Sequence, residues 1–239
     1  MDFFPTSSRS LTLFARSILF FILLSPVVLA EEISQVRIQQ PPPVYDLSQD
    51  YYVGLLKLAL QHGAKGRAIP EVVPAGIMEQ GRASRELLKG NLIDVFWVGT
   101  DLVKEQELRA IRIPLERGLM GFRKFTILKQ READFANIQH LADLTKLQAC
   151  QGTHWPDTKI LKAAGITVVE SAVFTNMFPQ LVAGRCDFFP RGLHEGKVEI
   201  AHFSQQYPDL MRYSDIMLYY PFAIYFFTNK QNETLAQWL

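Results

Sequence analysis

Two short stretches of this chain follow one plan, and that plan constrains the fold more than any other feature. Leu88-Lys89-Gly90-Asn91-Leu92-Ile93-Asp94-Val95-Phe96 and Val182-Ala183-Gly184-Arg185-Cys186-Asp187-Phe188-Phe189 each close a helical pattern on glycine. In both, an aspartate then opens an apolar run. Glycine suits the end of a helix because it adopts the left-handed conformation that frees the last carbonyls for capping. The run Leu92 to Val98 is apolar almost without interruption, the pattern of a strand buried on both faces in a sheet flanked by helices. The gap before the aspartate differs by one residue, so the halves are similar rather than repeated. Each is roughly 100 residues, enough for its own core.

The rest of the pattern alternates strand and helix. A first strand over Val36 to Gln40 stops at Pro41-Pro42-Pro43. Ser48 caps a helix whose face is Tyr52, Leu55, Leu56, Ala59 and Leu60, ending near Gly63. Strands follow at 71–73, 92–98, 110–113 and 122–128, with a helix at 83–89. The second half reads strand 147–151, helix 157–164, strand 167–170, helix 174–183, strand 186–189 and helix 193–206, then aromatic strand material at 217–228. Alternation of this kind predicts parallel sheets covered by helices.

Charge excludes one class of function. The formal net charge is +1, with basic and acidic residues interspersed, so no basic field exists to hold nucleic acid. At the amino end, Arg9 and Arg16 precede an apolar run that closes Val28-Leu29-Ala30 before Glu31 and Glu32. This is the pattern of a secretory leader cleaved after Ala30. Ser17 to Ala30 is shorter than the ~20 apolar residues of a spanning helix and contains Pro26. The expectation is an exported, periplasmic protein. Cys150 and Cys186 are the only two cysteines. An oxidising compartment permits a bridge between them, but both fall at strand positions, and buried free cysteine is the expected state.

Gln151-Gly152-Thr153 stands between a strand and a helix. Backbone N–H groups and the helix dipole at such a turn favour carboxylate or phosphate oxygens, and the Thr153 hydroxyl adds a donor. The bland alternative is a loop and cap in which Asp157 complements the dipole. His154 and Asp157 lie three apart, but no third ligand has metal-site spacing. No nucleophile elbow, phosphate loop or dinucleotide fingerprint is present, so neither catalytic residues, a metal nor a cofactor is expected.

The stretch from Leu141 to Gly192, with Gln151-Gly152-Thr153 and Gly184-Arg185-Cys186-Asp187 in this order, resembles the family 3 bacterial extracellular solute-binding proteins. Leu88, Gly90, Asp94-Val95 and Thr100 carry the likeness in the first half, and it extends over about residues 36–228. Phrases such as Gln80-Gly81-Arg82, Arg112-Ile113-Pro114-Leu115 and Phe189-Pro190-Arg191 resemble a less characterised branch. The resemblance implies a two-lobed α/β protein of the periplasmic-binding-protein-like type II, each lobe a mainly parallel sheet flanked by helices. The leader would be 1–30, lobe one 31–121, lobe two 122–221, and 222–239 a return to lobe one that looks incomplete. Strands 122–128 and 222–228 would be the hinge crossings.

The resemblance also implies a monomer that closes on a small molecule for an inner-membrane ABC permease or, alternatively, a membrane-linked sensor. Two departures bear on the ligand. Amino-acid binders of the family place an arginine soon after the threonine of lobe one, whereas Thr100 is followed by Lys104, Glu105, Gln106 and Glu107. They also place an aspartate after the second-lobe strand, to hold an ammonium. This chain has Pro190-Arg191-Gly192 there. Arg191, with Arg112 and Arg82 from the first lobe, would favour an anionic or carboxylate-bearing ligand through bidentate contacts. Gly152, Thr153, Trp155 and Trp97 complete the expected ligand-binding set.

Overall fold

The computed structural model describes residues 1, 33–40 and 49–239. The expected leader, the Pro41-Pro42-Pro43 stop and the Ser48 cap lie outside them. In chain order the first elements are β1 (Gln35–Gln40), α1 (Gln49–Ala64), β2 (Glu71–Ile77), α2 (Gln80–Lys89), β3 (Val95–Gly99), α3 (Leu102–Glu107) and β4 (Arg109–Ile111). Next come β5 (Phe122–Leu128), α4 (Glu132–Ala136), α5 (Leu141–Leu144), β6 (Gln148–Gly152), α6 (Pro156–Ala163), β7 (Thr167–Ser171) and α7 (Met177–Val182). The chain then runs through β8 (Phe189–Gly192), α8 (Glu195–Phe203), β9 (Leu210–Tyr219), β10 (Ile224–Thr228) and α9 (Glu233–Trp238).

The first sheet has the order β2-β1-β3-β10-β4. It is parallel through β2, β1 and β3 and antiparallel where β10 enters between β3 and β4. The second half repeats this order. The parallel pair β7-β6 adjoins the antiparallel trio β8-β5-β9 through a parallel bridge from Ala149 to Phe188, and the Cys150 N–H donates to the Phe188 carbonyl. Read together, the strands run β7-β6-β8-β5-β9. The expected α/β architecture of helix-flanked sheets is therefore present, with one inserted antiparallel strand in each sheet.

The two aspartates of the repeated plan do the same local work. The Asp94 carboxylate accepts from the Arg37 N–H at 2.8 Å and the Asp94 N–H returns a bond to the Arg37 carbonyl. Asp187 does this with Gln148 at 2.7 Å. Each aspartate thus ties the last loop before a strand to the opening of the sheet's first strand. Gly90 and Gly184 precede them at φ +70° and +66°, where any other residue would be strained.

Burial follows the sheets. On one face of the first, Val36, Ile38, Val95 and Phe226 pack against Leu56 and Leu60 of α1 and Leu235 and Trp238 of α9. On the other, Phe96, Val98 and Phe227 pack against Ala83 and Leu87 of α2. In the second half, Cys150, Phe174, Phe178, Phe189 and Phe203 form one core. A further cluster takes residues from both halves, including Tyr52, Met120, Phe125, Tyr220 and Phe222.

Four expectations are corrected. The cysteines are not free: Cys150 and Cys186 form a disulfide, with Cα atoms 5.5 Å apart. Both are buried, but they lie on adjacent segments of one sheet that the Ala149–Phe188 bridge holds side by side. The strand expected at 186–189 is displaced to β8, because residues 186–188 bond to β6 alone and the ladder with β5 starts at Phe189. The aromatic run 217–228 is not continuous; it divides into the end of β9 and all of β10. Phe122 to Leu128 lies wholly within the second sheet and Ile224 to Thr228 within the first, so the crossings are the short segments before β5 and between β9 and β10. There the Tyr220 N–H donates to the Gly121 carbonyl at 3.2 Å. Among the described residues, no helix is long and apolar enough to cross a membrane.

Candidate functional site

A cleft of about 140 Å³ opens between the two sheets. Its first-half wall comes from Gln39 of β1, Gln49 and Tyr52 of α1, Glu79 and Gln80 at the start of α2, and Phe96 to Gly99 of β3. The second half supplies Arg123 of β5, Trp155 to Asp157 at the start of α6, Arg191 of β8 and Glu195 of α8. Phe222 and Ile224 on the returning segment complete it. The strand carboxyl ends and helix starts that face each other here are where such folds bind ligands.

Aromatic rings shape the walls. Trp97 stacks on Tyr52 with centroids 5.5 Å apart. Trp155 lies over the Arg191 guanidinium at 4.9 Å and stacks towards Phe174 and Phe189. Phe222 covers the Arg123 guanidinium at 4.9 Å. The Phe222 ring needs the bare backbone of Gly99: a Cβ there would come within 2.1 Å of it.

The charges form an alternating ladder. Asp157 pairs with Arg123 at 2.7 Å, Arg123 with Glu195 at 3.4 Å, Glu195 with Arg191 at 3.0 Å, and Arg191 with Glu199 at 2.5 Å. Tyr220 donates its phenol proton to Asp157 at 2.5 Å, and the Gly192 N–H donates to Glu195 at 2.8 Å. Burial alone would raise the Glu195 carboxyl, but Arg191, Arg123, His194 and the Gly192 N–H outweigh it and hold it below its ordinary value. Glu199 goes the other way: burial raises it more than Arg191 lowers it. Beside the ladder, Tyr52 donates to Glu116, whose carboxyl burial also raises.

Of the residues singled out from sequence, Arg191, Trp155 and Trp97 line the cleft. Arg191 does so as a buried cation already bound by two carboxylates. Gly152 sits directly behind Trp155, where a Cβ would meet the indole at 2.5 Å. Its N–H is taken by the Gln151 side chain at 3.2 Å and that of Thr153 by the Ser171 carbonyl at 3.0 Å. Pro156 opens α6 without an N–H to offer. Arg112 lies at the surface, bonded to Glu105 at 2.6 Å, and Arg82 is exposed on α2. Neither is part of the cleft lining.

Arg123, Asp157, Glu195 and Tyr52 were not singled out as ligand contacts from sequence. Arg123 and Tyr52 carry no motif signal. Asp157 was read as a dipole complement, and Glu195 opens α8 just after strand β8, where the sequence gives no sign that it folds back on Arg191.

No protein-family model matches the chain, and no curated protein matches it in sequence. Solved structures do resemble it. A histidine kinase sensor domain with similarity to periplasmic binding proteins superposes with TM-score 0.62 at 14% identity, covering 86% of this chain and 87% of that one. The substrate-binding protein of an amino acid ABC transporter from Streptococcus pneumoniae, bound to L-arginine, gives 0.61 at 12%, covering 86% and 85%. An ancestral amino acid-binding protein described as a precursor of cyclohexadienyl dehydratase gives 0.59 at 11%, covering 86% of each chain. At such identities the likeness is one of architecture: the chain has the α/β fold shared by periplasmic binding proteins of this type.

Proposed function

We propose that this is an exported solute-binding protein that closes its cleft on a small molecule and presents it to an inner-membrane ABC-type importer. The observation that carries this reading is the cleft itself, walled by Trp97, Trp155 and Phe222 and floored by an ion-paired ladder. Enclosure by rings with a few fixed polar groups is how folded proteins hold small ligands. Residues 31–121 with 222–239 form one lobe and 122–221 the other, moving as a hinge. Export with cleavage after Ala30, giving a periplasmic monomer, is part of this reading.

An anionic or carboxylate-bearing ligand was expected because of Arg191. In the folded chain, engaging such a ligand requires Arg191 to give up Glu195 or Glu199, so the ligand must outcompete a built-in carboxylate. Catalysis is not needed to account for the site, since each carboxylate of the ladder has a structural partner. Fold alone does not separate import from sensing. A sensor that signals to a membrane partner is the second reading, supported by the architecture shared with a kinase sensor domain.

The test is a thermal-shift screen of the exported protein with the Gly99→Ala variant beside it. A ligand at 100 times its dissociation constant stabilises by about 2.7 kcal/mol, and the shift should vanish when Phe222 is pushed into the cleft. Shifts equal in both proteins would place the ligand elsewhere and end this reading.

A further inference from the structure

We propose that the cleft selects an organic cation, an amine or guanidine that carries no carboxylate of its own; this rests on the cleft being the ligand site. The argument begins with which charged atoms a guest can touch. Along the ladder, the side chains of Arg123, Arg191 and Asp157 are 3%, 6% and 6% exposed, and that of Glu199 is 8% exposed. Glu195 stands apart at 18%. The positive groups are the more covered and the central negative group the less, although Arg191, Arg123 and the Gly192 N–H already reach its two oxygens.

The cover matters as much as the exposure. Arg191 lies among the rings of Trp155, Phe189 and Phe174, at 4.9, 5.0 and 5.5 Å. Arg123 lies under Phe222 and Tyr220, at 4.9 and 5.5 Å. Of these rings Trp155 and Phe222 line the cleft, beside the two guanidinium groups that they partly screen. Aromatic faces present the negative side of their quadrupole, which attracts ammonium and guanidinium groups.

The charge count points the same way. The lining carries the carboxylates of Glu79, Asp157 and Glu195 against the guanidinium groups of Arg123 and Arg191. A walled cleft with an excess of one sign focuses its field on guests of the other. A carboxylate on the guest would have no positive partner that is not already bound twice over, because Arg123 holds Asp157 and Glu195, and Arg191 holds Glu195 and Glu199.

The experiment is calorimetric titration of the full exported protein with putrescine, agmatine and choline as cations. Succinate and inorganic phosphate serve as anions, and arginine as a cation that bears a carboxylate. At least one of the three cations should bind, at least tenfold more tightly than arginine and a hundredfold more tightly than either anion. Glu195→Gln should weaken it at least tenfold, and Glu195→Asp, which keeps the charge if the first variant folds poorly, should weaken it less. Tighter binding of arginine or an anion, lost in Gly99→Ala, overturns the cation assignment while leaving the cleft as the site. Cation binding that neither Glu195→Gln nor Gly99→Ala alters overturns both. Absence of binding by all three cations at millimolar concentration also overturns the assignment.

Discussion

Arg191 and Glu199 form a buried bidentate ion pair, the guanidinium Nε reaching one carboxylate oxygen at 2.8 Å and Nη2 reaching the other at 2.5 Å. Removing one member of such a pair strands a charge in a poorly solvated place. Glu199→Ala should therefore cost about 3–5 kcal/mol in denaturant unfolding. The double substitution Arg191→Met with Glu199→Leu should cost less than Glu199→Ala alone, since the guanidinium goes with its partner and Glu195 keeps Arg123 and the Gly192 N–H. A double variant at least as unstable as the single one would show that the pair contributes net stability.

The disulfide offers a second test. Cys150 and Cys186 close a loop across 36 positions of sequence, and a cross-link of that span stabilises by about 2–4 kcal/mol. At this chain length each kcal/mol moves the melting temperature by about 2–4 °C. Melting with and without a reductant, and of the Cys150→Ala, Cys186→Ala double variant, should show losses of that order. Folding of the double variant should survive, because its packing partners Phe174, Phe178 and Phe189 stay in place.

Gly99 and Phe222 predict a steric switch in the cleft. A methyl group at residue 99 would overlap the Phe222 ring, and overpacking of this kind costs about 1–3 kcal/mol. Gly99→Ala should lower stability by that amount, and adding Phe222→Ala should remove the clash, though not the packing lost with the ring. Additive losses in unfolding experiments would show that the two residues do not press on each other.

Acid and neutral limbs of the stability curve should separate two neighbouring glutamates. Glu195 is held below its ordinary value of 4.5, so the unfolded chain takes up its proton first as pH falls. The stability it contributes is present above 4.5 and is lost as pH drops through its lowered value. Glu199 is raised above 4.5; its contribution is present below 4.5 and is lost as pH rises through its raised value. Unfolding free energy against pH should show Glu195→Gln flattening the limb below 4.5 and Glu199→Gln flattening the decline above it.

Much of the architecture was legible because it rests on local chemistry. Gly90 and Gly184 announce helix ends through backbone freedom, and Asp94 and Asp187 announce strand openings that the fold uses in the same way twice. The first seven residues of β9 were missed because they form an edge strand. Arg212, Ser214 and Asp215 interrupt its apolar pattern, and a register irregularity breaks its pairing with β5. The site was less legible than the sheets. An arginine in sequence has a charge but no partner, and whether Arg191 meets a ligand or Glu199 depends on a helix that turns back eight residues later. Trp155 and Trp97 were readable as wall residues because ring size constrains where they can go. Arg123 was not, because a strand position gives no hint that the side chain will be sealed under Phe222.

The hydrogen bond from Tyr220 to Gly121 has a consequence for how such a chain can be rebuilt. It brings the entry and exit of the whole second sheet to one point, so residues 122–219 hang from the rest like a bead on a clasp. Lineages could exchange that segment, or a laboratory could graft it, without rethreading a strand of the remainder. Whatever chemistry the first sheet brings to the cleft can then be paired with a different opposite wall.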